Sequence, residues 1–140
     1  MLIAATAIAA CSSGSATTSS APTPAPAQSG ATMTAKATSG VTTAMITEGD
    51  SLFHKASCVR CHGADAKGAQ NGPSLMGPTF MHVNGTYDDF VRLIMSGVPA
   101  DSIKDKSHRF AMRPKGGGQT PLTDDQVKAV AAYVYSLSHK

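Results

Sequence analysis

The chain has 140 residues, 15% of them charged, and a formal net charge of +3 at pH 7. This length is that of a single domain. Lysine and arginine are not gathered into one stretch, so the basic balance gives no basis for binding nucleic acid. No stretch of the sequence is both long and apolar enough to span a bilayer as a helix.

Residues 1–11 form a short apolar run that ends in small residues at Cys11. The run has the apolar region and the small-residue cleavage site of a secretory signal, but it lacks the basic start. Ile8-Ala9-Ala10-Cys11 resembles a bacterial lipobox, whose cysteine carries the lipid. We therefore predict export, with a lipid anchor at Cys11. The alternative is ordinary cleavage after Ala9, which would leave a soluble exported protein.

Residues 12–45 are dominated by Ser, Thr, Ala, Pro and Gly, with Lys36 as the one charged residue and no aromatic residue. Such a composition cannot bury enough apolar surface to offset its chain entropy. We predict a disordered linker, which as a flexible coil would span roughly 30 Å. The folded domain is placed at residues 46–140.

Cys58, Cys61 and His62 form the sequence Cys-Val-Arg-Cys-His, which is typical of attachment of a c-type haem. Cysteines three positions apart on one helical turn can each form a thioether to one vinyl group, and the adjacent imidazole can bind the iron. One alternative is a redox dithiol, which expects a βαβ surrounding. The other is half of a zinc site, which needs two further ligands nearby. The pattern favours one covalent haem.

A helix is predicted over residues 46–57, immediately before this motif. Thr47 and Asp50 are expected to cap its start. Gly49 and Phe53 lie four positions apart and share one face, and we interpret Phe53 as a core residue. The Gly- and Pro-rich sequence after the motif predicts a loop.

Two more helices are predicted in the second half of the chain. Residues 86–97 begin with a capping box of Thr86 and Asp89 and stop at Gly97. The last helix starts with a similar box at Thr123. Apolar residues follow it at helical spacing: Val127, Val130, Val134 and Leu137.

A histidine alone leaves the second axial position of the iron open. The candidates are four methionines and three histidines: Met76, Met81, Met95, Met112, His54, His82 and His108. Met95 falls in the apolar register of a helix, and Met76 and Met81 follow the haem motif closely, in a loop that must first wrap the ring edge. Met112 lies in a distant Gly- and Pro-rich loop that can cross the opposite face. We favour Met112, with His82 or His108 as alternatives.

Residues 46–140 resemble a class I, mitochondrial-type c-type cytochrome domain of the bacterial kind. The matching elements are Gly49, Phe53, the haem motif, Asn71-Gly72-Pro73-Ser74-Leu75, Ser96-Gly97-Val98-Pro99, Met112 and Leu122-Thr123. They cover about two thirds of the chain. The chain departs from the family pattern at Arg113, which separates Met112 from Pro114 where the family often has proline directly after the methionine.

The resemblance implies an all-α fold, a small cytochrome c fold of about three to five helices wrapped around one covalent haem, preceded by the disordered linker. It implies thioethers from Cys58 and Cys61, and axial ligation by His62 and Met112. The carbonyl of Pro73 is expected to accept the proton on the other ring nitrogen of His62.

The implied function is one-electron transfer between a donor and an acceptor complex, by an electron carrier that is not itself an enzyme and has no catalytic residues. The implied location is periplasmic or otherwise extracytoplasmic, with membrane anchoring through Cys11. An alternative is the haem subunit of a larger oxidoreductase. An open-site haem enzyme or a gas sensor is a further alternative, and each would need a free coordination position.

Overall fold

A computed structural model describes residues 40–140, which form a helical domain. The four α-helices are, in order, α1 Thr43–Lys55, α2 Cys58–His62, α3 Tyr87–Ser96 and α4 Asp124–Ser138. Short 3-10 turns lie at Ala100–Ser102 and Pro114–Gly116. Within the described range there is no β-strand, only two isolated bridges between single residues. The prediction of an all-α fold is confirmed.

The predicted signal segment at residues 1–11, with Cys11, lies outside the described residues. The same holds for the predicted linker as far as residue 39. Within residues 40–140, no helix is long and apolar enough to cross a membrane.

The first helix begins earlier than the sequence predicted. The hydroxyl of Thr42 accepts a hydrogen bond of 3.2 Å from the backbone N–H of Met45, so Thr42 is the N-cap. The expectation that Thr47 and Asp50 cap the start is therefore wrong. Thr47 lies inside the helix, where its hydroxyl donates to the carbonyl of Thr43 at 3.1 Å. Three residues of the predicted linker, 43–45, thus belong to α1.

Helices α1 and α4 come into close contact because residue 49 is a glycine. A β-carbon on Gly49 would overlap the carbonyl oxygen of Ala129 and lie 2.9 Å from the β-carbon of Tyr133. One turn later on the same face, Phe53 is 1% exposed, and its ring centroid lies 5.4 Å from that of Tyr133. Gly49, Phe53 and Tyr133 thus form the contact between α1 and α4.

Both capping boxes predicted in the second half of the chain are present. At α3, Thr86 and Asp89 exchange side-chain to backbone hydrogen bonds of 3.2 and 3.4 Å. At α4, Thr123 and Gln126 do the same at 3.3 and 3.0 Å. The helices so fixed bury most of the core residues: Phe90, Ile94, Val127, Ala129, Val130, Ala131, Ala132 and Val134. Several of these side chains also form the wall of a cavity.

Candidate cofactor site

A cavity of about 580 Å³ is lined by residues of all four helices and of the loops between them. Pockets that hold small molecules and cofactors have volumes of about 300–1,000 Å³, so the cavity has a suitable size. Apolar side chains form much of its wall: Phe53, Leu75, Phe80, Phe90, Leu93, Ile94, Val98, Ile103, Val130 and Val134. Cys58, Cys61, His62, Pro73 and Met112, the five residues predicted to bind haem, line the same cavity.

The two thiols of the haem motif, Cys58–His62, lie on the short helix α2. Cys58 and Cys61 are one turn apart on it, so their side chains share a face. Both are half-buried free thiols. Burial raises the pKa of the Cys58 thiol, so this thiol stays protonated near neutral pH. Redox-active CxxC pairs have the opposite shift, towards a lower pKa.

The surroundings of these thiols match neither of the alternative sites. A redox dithiol is expected beside a βαβ unit, whereas the described domain is built from helices, turns and loops. A zinc site needs four ligands. No group of three or more His, Cys, Asp or Glu side chains within residues 40–140 is arranged to hold a metal ion. The geometry favours covalent attachment of a cofactor.

His62 is oriented by the loop that follows α2. Its Nδ1 lies 2.9 Å from the carbonyl oxygen of Pro73. A carbonyl oxygen can only accept, so Nδ1 carries the proton and the lone pair of Nε2 is left for a metal. Burial lowers the pKa of His62, and the charge of His108 acts in the same direction against the Pro73 hydrogen bond. The neutral imidazole, which is the form that binds a metal, is therefore favoured.

Four of the candidates for the second axial ligand line the cavity: Met81, His82, His108 and Met112. The other three, Met76, Met95 and His54, are not among its wall residues. Met95 packs against the hydrophobic core, in line with its register in α3. The structure thus narrows the choice of ligand to two methionines and two histidines.

The two histidines at the cavity, His82 and His108, differ in the surroundings of their rings. His108 has Nδ1 at 3.2 Å from the carbonyl oxygen of Gln70 and Nε2 at 3.6 Å from a carboxylate oxygen of Asp105, so both ring nitrogens face other groups. Burial lowers the pKa of His82, and the charge of Lys104 adds to this effect. His82 is therefore neutral and chemically able to bind a metal, which makes it the stronger histidine alternative to Met112.

The backbone of Met112 is paired with the chain just beyond α3. Its N–H donates to the carbonyl of Val98 at 2.9 Å, and the N–H of Val98 donates back to the carbonyl of Met112 at 2.8 Å. The 3-10 turn that begins at Pro114 follows. In that turn the carbonyl of Gly116 accepts a hydrogen bond from the hydroxyl of Ser57, the N-cap residue of α2. The Met112 loop is thus tied to α3 and to the haem motif.

Sequence reasoning missed Ser57 and Val98 as residues of the site. Val98 pairs with Met112 through backbone groups that every non-proline residue has, so this pairing leaves no signal in the sequence. Ser57 had only its position beside the motif to mark it. Arg113, the departure from the family pattern, has the extended conformation usual before a proline (φ −73°, ψ 144°), and these hydrogen bonds hold the loop on either side of it.

A family model described as cytochrome c matches residues 46–138, a region with most of α1 and all of the other three helices. Two curated relatives are named cbb3-type cytochrome c oxidase subunit CcoP. The relative from Rubrivivax gelatinosus is 33% identical over 95 residues, which are 64% of this chain and 25% of the relative. The relative from Azospirillum sp. (strain B510) is 32% identical over 92 residues, which are 66% of this chain and 30% of the relative.

The match with these relatives therefore spans no more than 30% of their length. Among solved structures, cytochrome CL from the marine methylotrophic bacterium Methylophaga aminisulfidivorans MPT is similar, with a TM-score of 0.50 and 29% sequence identity. That similarity covers 66% of this chain and 55% of the other. Sequence and fold thus point to the same family.

Proposed function

The chain belongs to the cytochrome c family, and on that premise we propose that it transfers single electrons through one covalent haem with His62 and Met112 as axial ligands. The observation that carries the proposal is the meeting of four groups at one cavity. These are Cys58 and Cys61 with their free thiols, His62 with Nδ1 hydrogen-bonded to the carbonyl of Pro73, and Met112. A c-type haem bound there supplies a one-electron iron couple, whose potential a methionine ligand raises.

The residues around the haem orient its ligand and exclude water. The carbonyl of Pro73 holds the Nδ1 proton, which fixes the ring of His62 and strengthens its Nε2 as a ligand. The apolar wall keeps water away and lowers the local dielectric constant. With His62 and Met112 both engaged, no position is left for a substrate, so we propose an electron carrier rather than an enzyme.

A spectroelectrochemical titration of the purified holoprotein tests this function. The proposal predicts a single reversible transition with the slope of a one-electron couple. It also predicts no appreciable turnover of peroxide by the wild-type protein. A two-step titration would contradict the single haem, and sustained peroxide turnover would favour the open-site enzyme.

A second candidate role is that of a haem subunit in a larger oxidoreductase. Both curated relatives are named as subunits of a cbb3-type oxidase, which favours this candidate. Isolation of the tagged chain from native membranes in mild detergent distinguishes the two roles. Stoichiometric recovery with an oxidase supports the subunit, and recovery of the chain alone supports a shuttle between donor and acceptor complexes.

We further propose that the domain works outside the cytoplasm at a membrane surface, as a periplasmic or otherwise extracytoplasmic protein. The support is the lipobox-like sequence ending at Cys11 and the composition of the following segment, which suits a tether between the anchor and α1. A single acyl chain would bind only reversibly, so stable anchoring needs more than one. Mass spectrometry of membrane-extracted protein tests this, since an unmodified N-terminus at Ala10 or Cys11 excludes the anchor.

A further inference from the structure

Gly97 ends α3 in a conformation that other residues scarcely adopt. Its φ of 69° and ψ of −170° lie in a region of backbone space that is essentially restricted to glycine. Its N–H closes the helix by donating to the carbonyl of Leu93 at 2.7 Å. The chain then turns directly into Val98, which is 6% exposed.

Gly97 also lies against the backbone of the Met112 loop. A β-carbon at Gly97 would overlap the carbonyl oxygen of Met112, and it would lie 2.8 Å from the nitrogen of Pro114 and 2.9 Å from the carbonyl carbon of Arg113. These neighbours are backbone atoms, which cannot rotate away as a side chain can. Any side chain at position 97 would therefore push the Met112 loop away from α3.

The neighbouring residue pairs with the same loop. Val98 and Met112 exchange two backbone hydrogen bonds, of 2.8 and 2.9 Å. They form an isolated antiparallel bridge, with no longer ladder to hold it in register. Within the described residues, the pair of Val98 and Met112 is the only backbone pairing between this loop and the end of α3. It can form only because Gly97 lets the loop come this close.

We propose that Gly97 is a positioning residue for the distal haem ligand, acting through the backbone of Met112. The inference rests on the proposed ligation of the iron by Met112. It adds a role for Gly97, which touches neither the iron nor the sulfur of Met112. The end of α3 sets where the Met112 loop lies, and the Ser57 to Gly116 hydrogen bond secures the turn beyond it. If the Met112 loop moves away from Gly97, the side of the haem opposite His62 opens. His62 and the thioether bonds of Cys58 and Cys61 stay in place.

The test compares Gly97→Ala with wild type as purified holoproteins of equal haem content. The readouts are the ferric charge-transfer band of thioether-ligated iron and the binding of carbon monoxide to the ferrous form. Gly97→Ala is expected to lose the band and to bind carbon monoxide, whereas wild type keeps the band and does not bind. A Gly97→Ala protein that keeps the band and stays inert to carbon monoxide overturns the inference.

Two control variants separate positioning from general damage. Gly49→Ala places the same methyl group against another carbonyl oxygen, in the contact between α1 and α4. Gly40→Ala introduces a side chain at the same φ of 69°, where no atom of residues 40–140 other than its chain neighbours lies within 4 Å of the added β-carbon. Both are expected to keep the band. Its loss in either control overturns the assignment of a specific role to Gly97.

The double variant Gly97→Ala, Met112→Ala shows whether Gly97 acts through the ligand. It is expected to bind carbon monoxide as Met112→Ala alone does, because residues that act through one group are not additive. If the double variant binds carbon monoxide to a greater extent than Met112→Ala alone, the inference is overturned. Retention of the band in Met112→Ala would instead overturn the ligand assignment itself, so the two failures are distinguishable.

If Gly97→Ala yields no holoprotein, the hydrogen bond from the N–H of Val98 to the carbonyl of Met112 allows a second test of the same inference. Val98→Pro removes the N–H that donates to Met112, whereas Val98→Ala shortens the side chain and keeps that N–H. Val98→Pro is expected to bind carbon monoxide to a greater extent than Val98→Ala. Equal binding by the two variants overturns the inference.

Discussion

The carbonyl oxygen of Pro73 lies 2.9 Å from Nδ1 of His62, and a glycine brings the two residues together. A β-carbon at Gly72 would lie 2.9 Å from the carbonyl oxygen of Cys61 and 3.2 Å from its β-carbon. These distances are shorter than ordinary contacts, so the loop can lie this close to the haem motif only without a side chain at position 72. The hydrogen bond that orients His62 depends on that approach.

Gly72→Ala is therefore expected to weaken the hydrogen bond and raise the midpoint potential. A less basic imidazole stabilises ferric iron less. A hydrogen bond is worth about 1 kcal/mol, which for one electron corresponds to at most about 40 mV. Potentiometric titration measures the shift, with Gly49→Ala as a control glycine outside the cavity wall. An unchanged or lower potential in Gly72→Ala would count against this role of Pro73.

Gly49→Ala is expected to destabilise the folded domain by about 1–3 kcal/mol, the usual cost of overpacking a close contact. The added methyl group would overlap the carbonyl of Ala129 and force α1 and α4 apart. Denaturant unfolding of the holoprotein measures the loss. Glu48→Ala, an exposed neighbour in the same helix, should change the free energy of unfolding by less than about 0.5 kcal/mol. Equal effects of the two variants would refute the contact.

The sequence predicts best those features that local contacts determine. The capping boxes that begin at Thr86 and Thr123 link a side chain to a backbone group three residues away. The residue types at these positions are therefore enough to predict both boxes. The haem motif is equally local. The start of α1 was missed because Thr42 stands in a polar, low-complexity stretch that resembles linker. The approach of Gly97 to Met112 was missed because it joins backbone atoms distant in sequence.

His54 links α1 to the loop after the haem motif in a way that requires a proton. Its Nδ1 lies 2.9 Å from the carbonyl oxygen and 3.1 Å from the carboxylate of Asp50, and its Nε2 lies 3.0 Å from the carbonyl oxygen of Ala64. Carbonyls only accept, so both bonds form only in the imidazolium. The pKa of His54 is raised, chiefly by the backbone hydrogen bond to Asp50. The ring of Tyr133, 6.3 Å away, packs beside it.

The contribution of His54 to stability is expected to fall with rising pH. Because its folded pKa lies above the ordinary value of 6.5, the stabilisation is complete below that value and is lost as the pH rises through the folded pKa. The difference in unfolding free energy between wild type and His54→Ala should be larger at about pH 5 than at about pH 9.

Asp50→Asn provides the matched control for His54. It removes the carboxylate but keeps the carbonyl that is the main cause of the raised pKa, so most of the pH dependence should remain. NMR titration of the His54 ring should likewise give a pKa above 6.5 in wild type. A difference between wild type and His54→Ala that stays constant or grows with pH would show that the ring is not held as an imidazolium.

The optical spectrum of the holoprotein shows whether His62 and Met112 occupy both axial positions of the iron. Spectra are recorded in the ferric and ferrous states, with carbon monoxide then added to the ferrous form, for wild type and Met112→Ala. We predict a thioether charge-transfer band and no carbon monoxide response in wild type, with the band lost and carbon monoxide bound in Met112→Ala. Rapid binding of carbon monoxide by wild type would show an open axial position, and a band that survives Met112→Ala would show that Met112 is not the ligand.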